Sequence, residues 1–101
     1  MWILAVELEL MLTMSHSLKD KRRVRLRVQE RLRQKFNISI IESGLQDRLD
    51  VLHLGVSLVA VSEPSGQQTL DNILDRIFQL TGIEAEIIGY ESFMLGDDLD
   101  N

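Results

Sequence analysis

Apolar and polar positions alternate with a period of two along residues 2–12, WILAVELELML, as they do in a β-strand with one buried face. One face of this predicted strand is apolar throughout and consists of Leu4, Val6, Leu8 and Leu10. The opposite face carries Ala5, Glu7 and Glu9. The pattern therefore predicts a strand that buries one face and presents carboxylates on the other.

The period changes to that of an α-helix after Ser17. Ser17 and Asp20 are spaced as in a capping box, in which side-chain oxygens accept hydrogen bonds from amides of the first helical turn. Apolar residues then recur at helical spacing and form a narrow stripe of Leu18, Val24, Val28, Leu32 and Phe36. At ~1.5 Å per residue this helix would be about 27 Å long, and we expect it to end near Asn37.

Three more strands and a second helix are predicted along the remaining chain. Residues 37–44 form the second strand, residues 44–50 a turn, and residues 51–61 a third strand that turns Leu52, Leu54, Val56, Leu58 and Ala60 to one side. The second helix follows Pro64 and ends at Gly82, with an apolar face of Leu70, Ile73, Leu74, Ile77 and Phe78. Residues 83–95 form the last strand, with Ile83, Ala85 and Ile87 inward and Glu84 and Glu86 outward.

The resulting order, βαββαβ, predicts a ferredoxin-like α+β sandwich, in which an antiparallel four-stranded sheet carries both helices on one face. Strand 1 should lie between strands 3 and 4, and Leu8, Val28, Leu54 and Ile77 should be almost fully buried. The 101 residues suffice for one core. We therefore expect a single domain over residues 1–95 and an acidic C-terminal tail over residues 96–101.

Composition narrows the class of protein further. The chain contains no Cys, which excludes disulfides, zinc thiolates and thiol nucleophiles. No segment has the roughly 18 apolar residues that a membrane span requires. The apolar opening carries Glu7 and Glu9 and lacks the basic start and small-residue cleavage site of a signal peptide. These features predict a cytoplasmic domain that does not enter a membrane.

Positive charge is concentrated in the first predicted helix. Residues 17–35 hold nine basic and two acidic side chains, a net charge of +7, whereas the remaining residues hold two basic and fourteen acidic ones, a net charge of −12. The overall charge of −5 therefore hides a basic segment on an acidic protein.

Few residues are arranged for catalysis. Ser15, His16 and Ser17 place hydroxyls beside an imidazole, but a nucleophile needs a base that a third group orients, and Ser17 is already predicted as a helix cap. An acylphosphatase-type activity would need an arginine in residues 13–17, which contain none. His53 is predicted on the open sheet face with no neighbouring metal-ligating side chain. We expect a protein that is not an enzyme and that uses no cofactor, metal or small-molecule substrate.

The open sheet face is a poor candidate for RNA binding. RNA-recognition domains of this topology stack bases on aromatic side chains of strands 1 and 3. The predicted open-face positions here are Ile3, Ala5, Glu7, Glu9, His53, Gly55, Ser57 and Val59, with Glu84 and Glu86 beside them. Because this face is acidic and lacks aromatic side chains, we expect it to repel phosphate.

The basic helix is the better candidate. Its cations project away from the apolar stripe, except that Lys21 and Arg25 lie close enough to lay their stems along the core edge. Like charges on one helix destabilise it, so we expect a counter-charge outside the helix. That counter-charge is either a phosphate backbone or the acidic sheet face of a second protomer. The predicted phosphate contacts are Lys19, Lys21, Arg22, Arg23, Arg27 and Arg31.

Several segments together resemble the bacterial YlxP-like family of small domains of unknown function. They are HSLKDKR (16–22), RLRQKFNISI (31–40), the pair Gln46-Asp47 and LGV (54–56), within a resemblance that spans residues 2 to about 95. The resemblance implies a ferredoxin-like domain. Genes of the family often lie beside those of translation and ribosome-maturation factors, which implies contact with RNA or the ribosome.

The chain departs from the family pattern at four positions. Leu45 and Leu49 stand where relatives often carry His and Trp, and Arg25 and Gln29 stand where relatives are usually apolar. The sequence therefore predicts a non-enzymatic RNA- or ribosome-associated domain. The alternative is a protein-interaction or self-associating module whose acidic sheet face meets a basic surface.

Overall fold

A computed structural model describes residues 1–13 and 15–96 of the protein. These residues form four strands and two helices. The elements are β1 (Trp2–Met11), α1 (Leu18–Lys35), β2 (Ser39–Gly44), β3 (Val51–Ala60), α2 (Glu63–Thr81) and β4 (Glu86–Met94). All paired strands are antiparallel, and the sheet order is β2-β3-β1-β4. The predicted ferredoxin-like topology is confirmed, with β1 between β3 and β4. Most of the predicted tail, residues 97–101, lies outside the described residues.

One hydrophobic core lies between the sheet and the two helices. The apolar faces of β1 and β3 lie side by side, because Leu8 pairs with Leu54 and every second residue follows the same register. Val28 of α1 and Ile77 of α2 pack into the same cluster, so both helices cover one face of the sheet. All four residues chosen from the sequence are 0% exposed, which confirms the predicted core.

The helix boundaries follow the capping residues. Ser17 Oγ accepts a hydrogen bond from the Asp20 amide at 3.1 Å, and the Asp20 carboxylate accepts one from the His16 amide at 3.1 Å. The second bond differs from the predicted box, in which the carboxylate would satisfy the Ser17 amide. The helix α2 begins with a reciprocal capping box of Ser62 and Ser65, and it ends at Gly82, whose positive φ of 72° is the left-handed conformation that glycine adopts easily. Neither helix has the length and apolarity that crossing a membrane would require.

Two predicted core residues are exposed. Leu18 and Phe78 are 51% and 50% exposed, respectively. In α1 the buried row instead contains Lys21, Val28 and Leu32, because positions spaced by seven and then four residues share one face of a helix. The helix thus buries a lysine where an apolar stripe was predicted.

The strand β4 is shorter than predicted and contains an irregularity. Ile83 and Ala85 pack against the core before the strand begins at Glu86, so Glu84 lies outside it. A bulge shifts the register opposite Glu7 and Leu8. Beyond the bulge, Phe93 pairs with Ile3 and therefore lies on the open face of the sheet.

A close approach between α2 and β1 leads to the first prediction. A Cβ atom on Gly66 would lie 2.8 Å from Leu4 Cδ1 and 3.2 Å from the Cβ of Ala60. Leu4 is only 2% exposed and has no room to move away. We expect Gly66→Ala to lower stability by up to about 2 kcal/mol, because overpacking costs ~1–3 kcal/mol and this cost is offset only in part by the ~1 kcal/mol that Ala gains over Gly in a helix.

Thermal unfolding measures this change. The melting temperature should fall by several degrees, at roughly 4–8 °C per kcal/mol for a domain of this size. Gln68→Ala, on the exposed side of the same helix, serves as the control and should change it little. A Gly66→Ala protein that melts at or above the wild-type temperature would contradict the close packing.

Candidate nucleic-acid interface

A row of cations runs along the outside of α1. Every fourth residue is basic and exposed, and we call this row the basic ridge: Lys19, Arg23, Arg27, Arg31 and Lys35. Side chains four residues apart are neighbours on a helix surface. At ~1.5 Å per residue the ridge is about 24 Å long. Arg22, also exposed, lies beside it.

The basic ridge has no internal counter-charge. Within residues 1–13 and 15–96, none of its five cations lies within ion-pair distance of a carboxylate. Each of the four neighbouring pairs on the ridge repels by ~0.2–0.5 kcal/mol, so the ridge destabilises the isolated helix by about 1–2 kcal/mol. The ridge therefore imposes an electrostatic cost that an anion bound outside the helix would relieve.

The structure separates Lys21 from the other predicted phosphate contacts. Lys19, Arg22, Arg23, Arg27 and Arg31 are exposed, as predicted, but Lys21 is only 2% exposed. Its Nζ donates to the main-chain oxygen of Leu45 at 2.7 Å and lies 3.1 Å from Oε2 of Glu42. A phosphate cannot reach this ammonium, so the prediction for Lys21 is wrong, and Lys21 instead attaches α1 to the loop between β2 and β3.

A second cation shares the carboxylate of Glu42. Arg25 Nε lies 3.2 Å from Glu42 Oε1, and an Arg25 guanidinium nitrogen donates to the side-chain oxygen of Gln29 at 3.1 Å. Arg25 and Gln29 are the two positions where the family resemblance implied apolar residues. Arg25 is thus hydrogen-bonded to Gln29 and paired in charge with Glu42, which explains how this chain accommodates both polar residues beside the core.

Lys35 is a ridge residue that the predicted site omitted. Its Nζ lies 5.9 Å from the ring centre of Phe36, within the range of a cation–π contact. The recurrence of a basic residue at every fourth position from Lys19 is visible in the sequence and would have identified Lys35. Arg33 is also exposed, but its guanidinium donates to the main-chain oxygen of Ile40 at 3.0 Å and supports β2.

The loop between β2 and β3 contributes little to the basic surface. Arg48 donates from two nitrogens to the two carboxylate oxygens of Asp50, each at 2.9 Å. These hydrogen bonds lower the pKa of the Asp50 carboxyl. The charge of Arg48 is therefore already matched within its own loop.

The open sheet face is acidic, as predicted, but it differs from the prediction in two respects. His53 was expected to have no neighbouring ligand-type side chain, yet its Nε2 lies 2.8 Å from Oε2 of Glu9. Phe93 adds one aromatic side chain, 51% exposed, to a face expected to have none. Among the described residues, no group of three or more His, Asp and Glu side chains is arranged to hold a metal ion.

A groove of about 330 Å³ lies at the N-terminal end of α1. Thr13, Ser15, Asp20, Arg27 and Thr81 contribute its polar groups, above a floor that includes Val24 and Ile83. Ser15 and Asp20 are engaged in the hydrogen bonds that start the helix. Arg27 belongs both to the groove lining and to the basic ridge, so the two surfaces are continuous.

Comparison with known proteins identifies relatives without assigning an activity. A family model described as "Protein of unknown function (DUF503)" matches residues 3–92. The chain is also similar to the uncharacterized protein YlxP of Bacillus subtilis (strain 168), with 36% identity over 77 residues. That match covers 76% of this chain and 84% of the relative, and it confirms the resemblance to YlxP-like proteins.

Proposed function

The chain belongs to the DUF503 family of proteins of unknown function, and we propose that it is a non-enzymatic cytoplasmic domain that binds RNA through α1. The observation that carries this proposal is the basic ridge, five exposed cations without carboxylate partners among the described residues. Arg22 extends the proposed contact surface to six cations. The gene neighbourhood that the family resemblance implies favours ribosomal RNA as the target.

The form of the surface supports phosphate contacts over base contacts. The ridge is convex and consists of long flexible cations, which bind phosphate oxygens and carry no sequence information. Arginine in particular presents several donors that match phosphate geometry. The sheet face used by RNA-recognition domains carries Glu7, Glu9 and Glu86 here and would repel RNA. Binding should therefore depend weakly on RNA sequence and strongly on charge.

Salt dependence tests the proposal directly. With six phosphate contacts, log K for a single-stranded RNA should fall against log[salt] with a slope of about −4, since each contact contributes ~0.7. Affinity should then decrease a few hundredfold between roughly 50 and 200 mM salt. Fluorescence anisotropy of a labelled RNA, titrated at several salt concentrations, measures the slope. Absence of binding at the lowest salt concentration would refute the proposal and favour a protein partner.

A further inference from the structure

The two edge strands of the sheet differ in the hydrogen bonds that side chains make to their main chain. At the β2 edge, Arg33 donates to the main-chain oxygen of Ile40, and Lys21 donates to that of Leu45 just beyond the strand. At the β4 edge, none of the described side chains hydrogen-bonds to the main chain of residues 86–94, and the strand pairs only with β1. The outer main-chain groups of β4 are therefore available for another strand.

Protective devices that usually block an exposed edge are largely missing from β4. Natural edge strands avoid pairing by carrying Lys, Pro or bulges, or by being very short. The strand β4 is nine residues long and contains no Lys, Arg or Pro, and its single irregularity is the bulge near Ile88. The β2 strand, in contrast, has only six residues. An edge of this length with so few protective devices is suited to the addition of a partner strand.

The two faces of β4 differ in chemistry. Ile87, Tyr90 and Met94 pair with Leu8, Val6 and Trp2, so they lie on the helix side, yet each remains more than a third exposed. On the open face, Glu86 pairs with Glu9, and Glu91 pairs with Ala5. A strand added beside β4 would therefore meet apolar side chains on the helix side, and on the open face it would meet these carboxylates together with Phe93.

From this pattern we infer that the β4 edge binds an extended protein segment in which basic and apolar residues alternate. The partner's apolar side chains would pack beside Ile87 and Tyr90, and its Lys or Arg side chains would face Glu86 and Glu91. A second copy of the chain fits less well, because β4 has no basic residue and would place its glutamates near one another. This surface lies at the far edge of the sheet from β2 and does not involve the basic ridge.

A synthetic peptide tests the inference with the whole protein. A peptide of alternating Lys and Val, matched in length to β4, should bind at low salt, and the same peptide with Glu in place of Lys should not. Two further peptides are N-methylated at every second amide. One carries the methyl groups at its odd-numbered positions and the other at its even-numbered positions. One of these two should lose binding, because only one set of amides points toward β4 in a paired strand.

A charge-reversed protein supplies the matched control. The variant with Glu86→Lys and Glu91→Lys changes two exposed side chains, so its melting temperature should stay near that of the wild type. It should bind the Lys peptide at least tenfold more weakly and prefer the Glu peptide. RNA binding by α1 should not decrease in this variant, which separates the two proposals.

Three results with the peptides would overturn the inference. They are equal binding of the Lys and Glu peptides, equal binding of both N-methylated peptides, and no binding of the Lys peptide at low salt. A wild-type dimer in sedimentation experiments that does not bind the Lys peptide would favour a second copy as the occupant and would also overturn it.

Discussion

Replacing Arg22, Arg23 and Arg27 together with Gln is expected to weaken RNA binding several hundredfold at roughly 50 mM salt. Each phosphate contact contributes almost one power of ten to the affinity at that salt concentration through counterion release. The salt slope should flatten from about −4 to about −2, because three of six contacts are lost. The three side chains are exposed and unpaired among the described residues, so the fold should persist.

Two controls separate the ridge from a general effect of charge. Arg48→Gln also removes one positive charge, but in a loop where that charge is matched by Asp50, and it should change RNA affinity little. Replacing Glu7 and Glu9 with Gln should leave binding unchanged or slightly tighter, since both lie on the opposite, repelling face. If the triple variant binds RNA as tightly as the wild type, the ridge is not the RNA-binding surface.

The substitution Val28→Asp is expected to unfold the domain. Val28 is 0% exposed and packs with Leu32 in the core. An unpaired carboxylate there costs several kcal/mol, which is a large part of the ~5–15 kcal/mol by which a small domain is stable. Circular dichroism during thermal or urea unfolding should show a loss of cooperative folding or a large decrease in midpoint.

Leu26→Asp is the matched control for this experiment. It introduces the same carboxylate two residues away, on a side chain that is 44% exposed and that follows Arg22 and Arg23 by four and three residues. Its midpoint should stay close to that of the wild type, because the new charge is solvated and meets opposite charges. Val28→Asp and Leu26→Asp variants of equal stability would mean that α1 packs through a different face.

Much of the fold was predictable because its signals are local. The period of two in β1 and β3 and the caps at Ser17 and Gly82 depend only on neighbouring positions in the chain. The basic ridge is equally local, since a cation at every fourth position of an exposed helix defines a surface without any tertiary contact. The sequence therefore predicted most of the proposed interface, and only Lys35 was left out of it.

Lys21 shows where local signals fail. Helical spacing places its stem near the core edge, but nothing in the local pattern showed that its ammonium group would be buried as well. Its partners, Glu42 and the carbonyl group of Leu45, lie more than twenty residues further along the chain. A lysine remains buried only where such partners compensate its loss of hydration, and folding brings them together.

The β4 edge also combines features that the local sequence determines with features that tertiary pairing decides. The sequence by itself determined that apolar and polar positions alternate along the last segment. It also determined that Glu86 faces away from the core. Only the pairing of β4 with β1 introduced the bulge, which moved Phe93 to the open face and set Tyr90 opposite Val6. A one-residue shift in register exchanges the two faces of a strand. The faces that β4 offers to a partner were therefore decided by tertiary pairing, whereas the basic ridge on α1 was determined by the sequence alone.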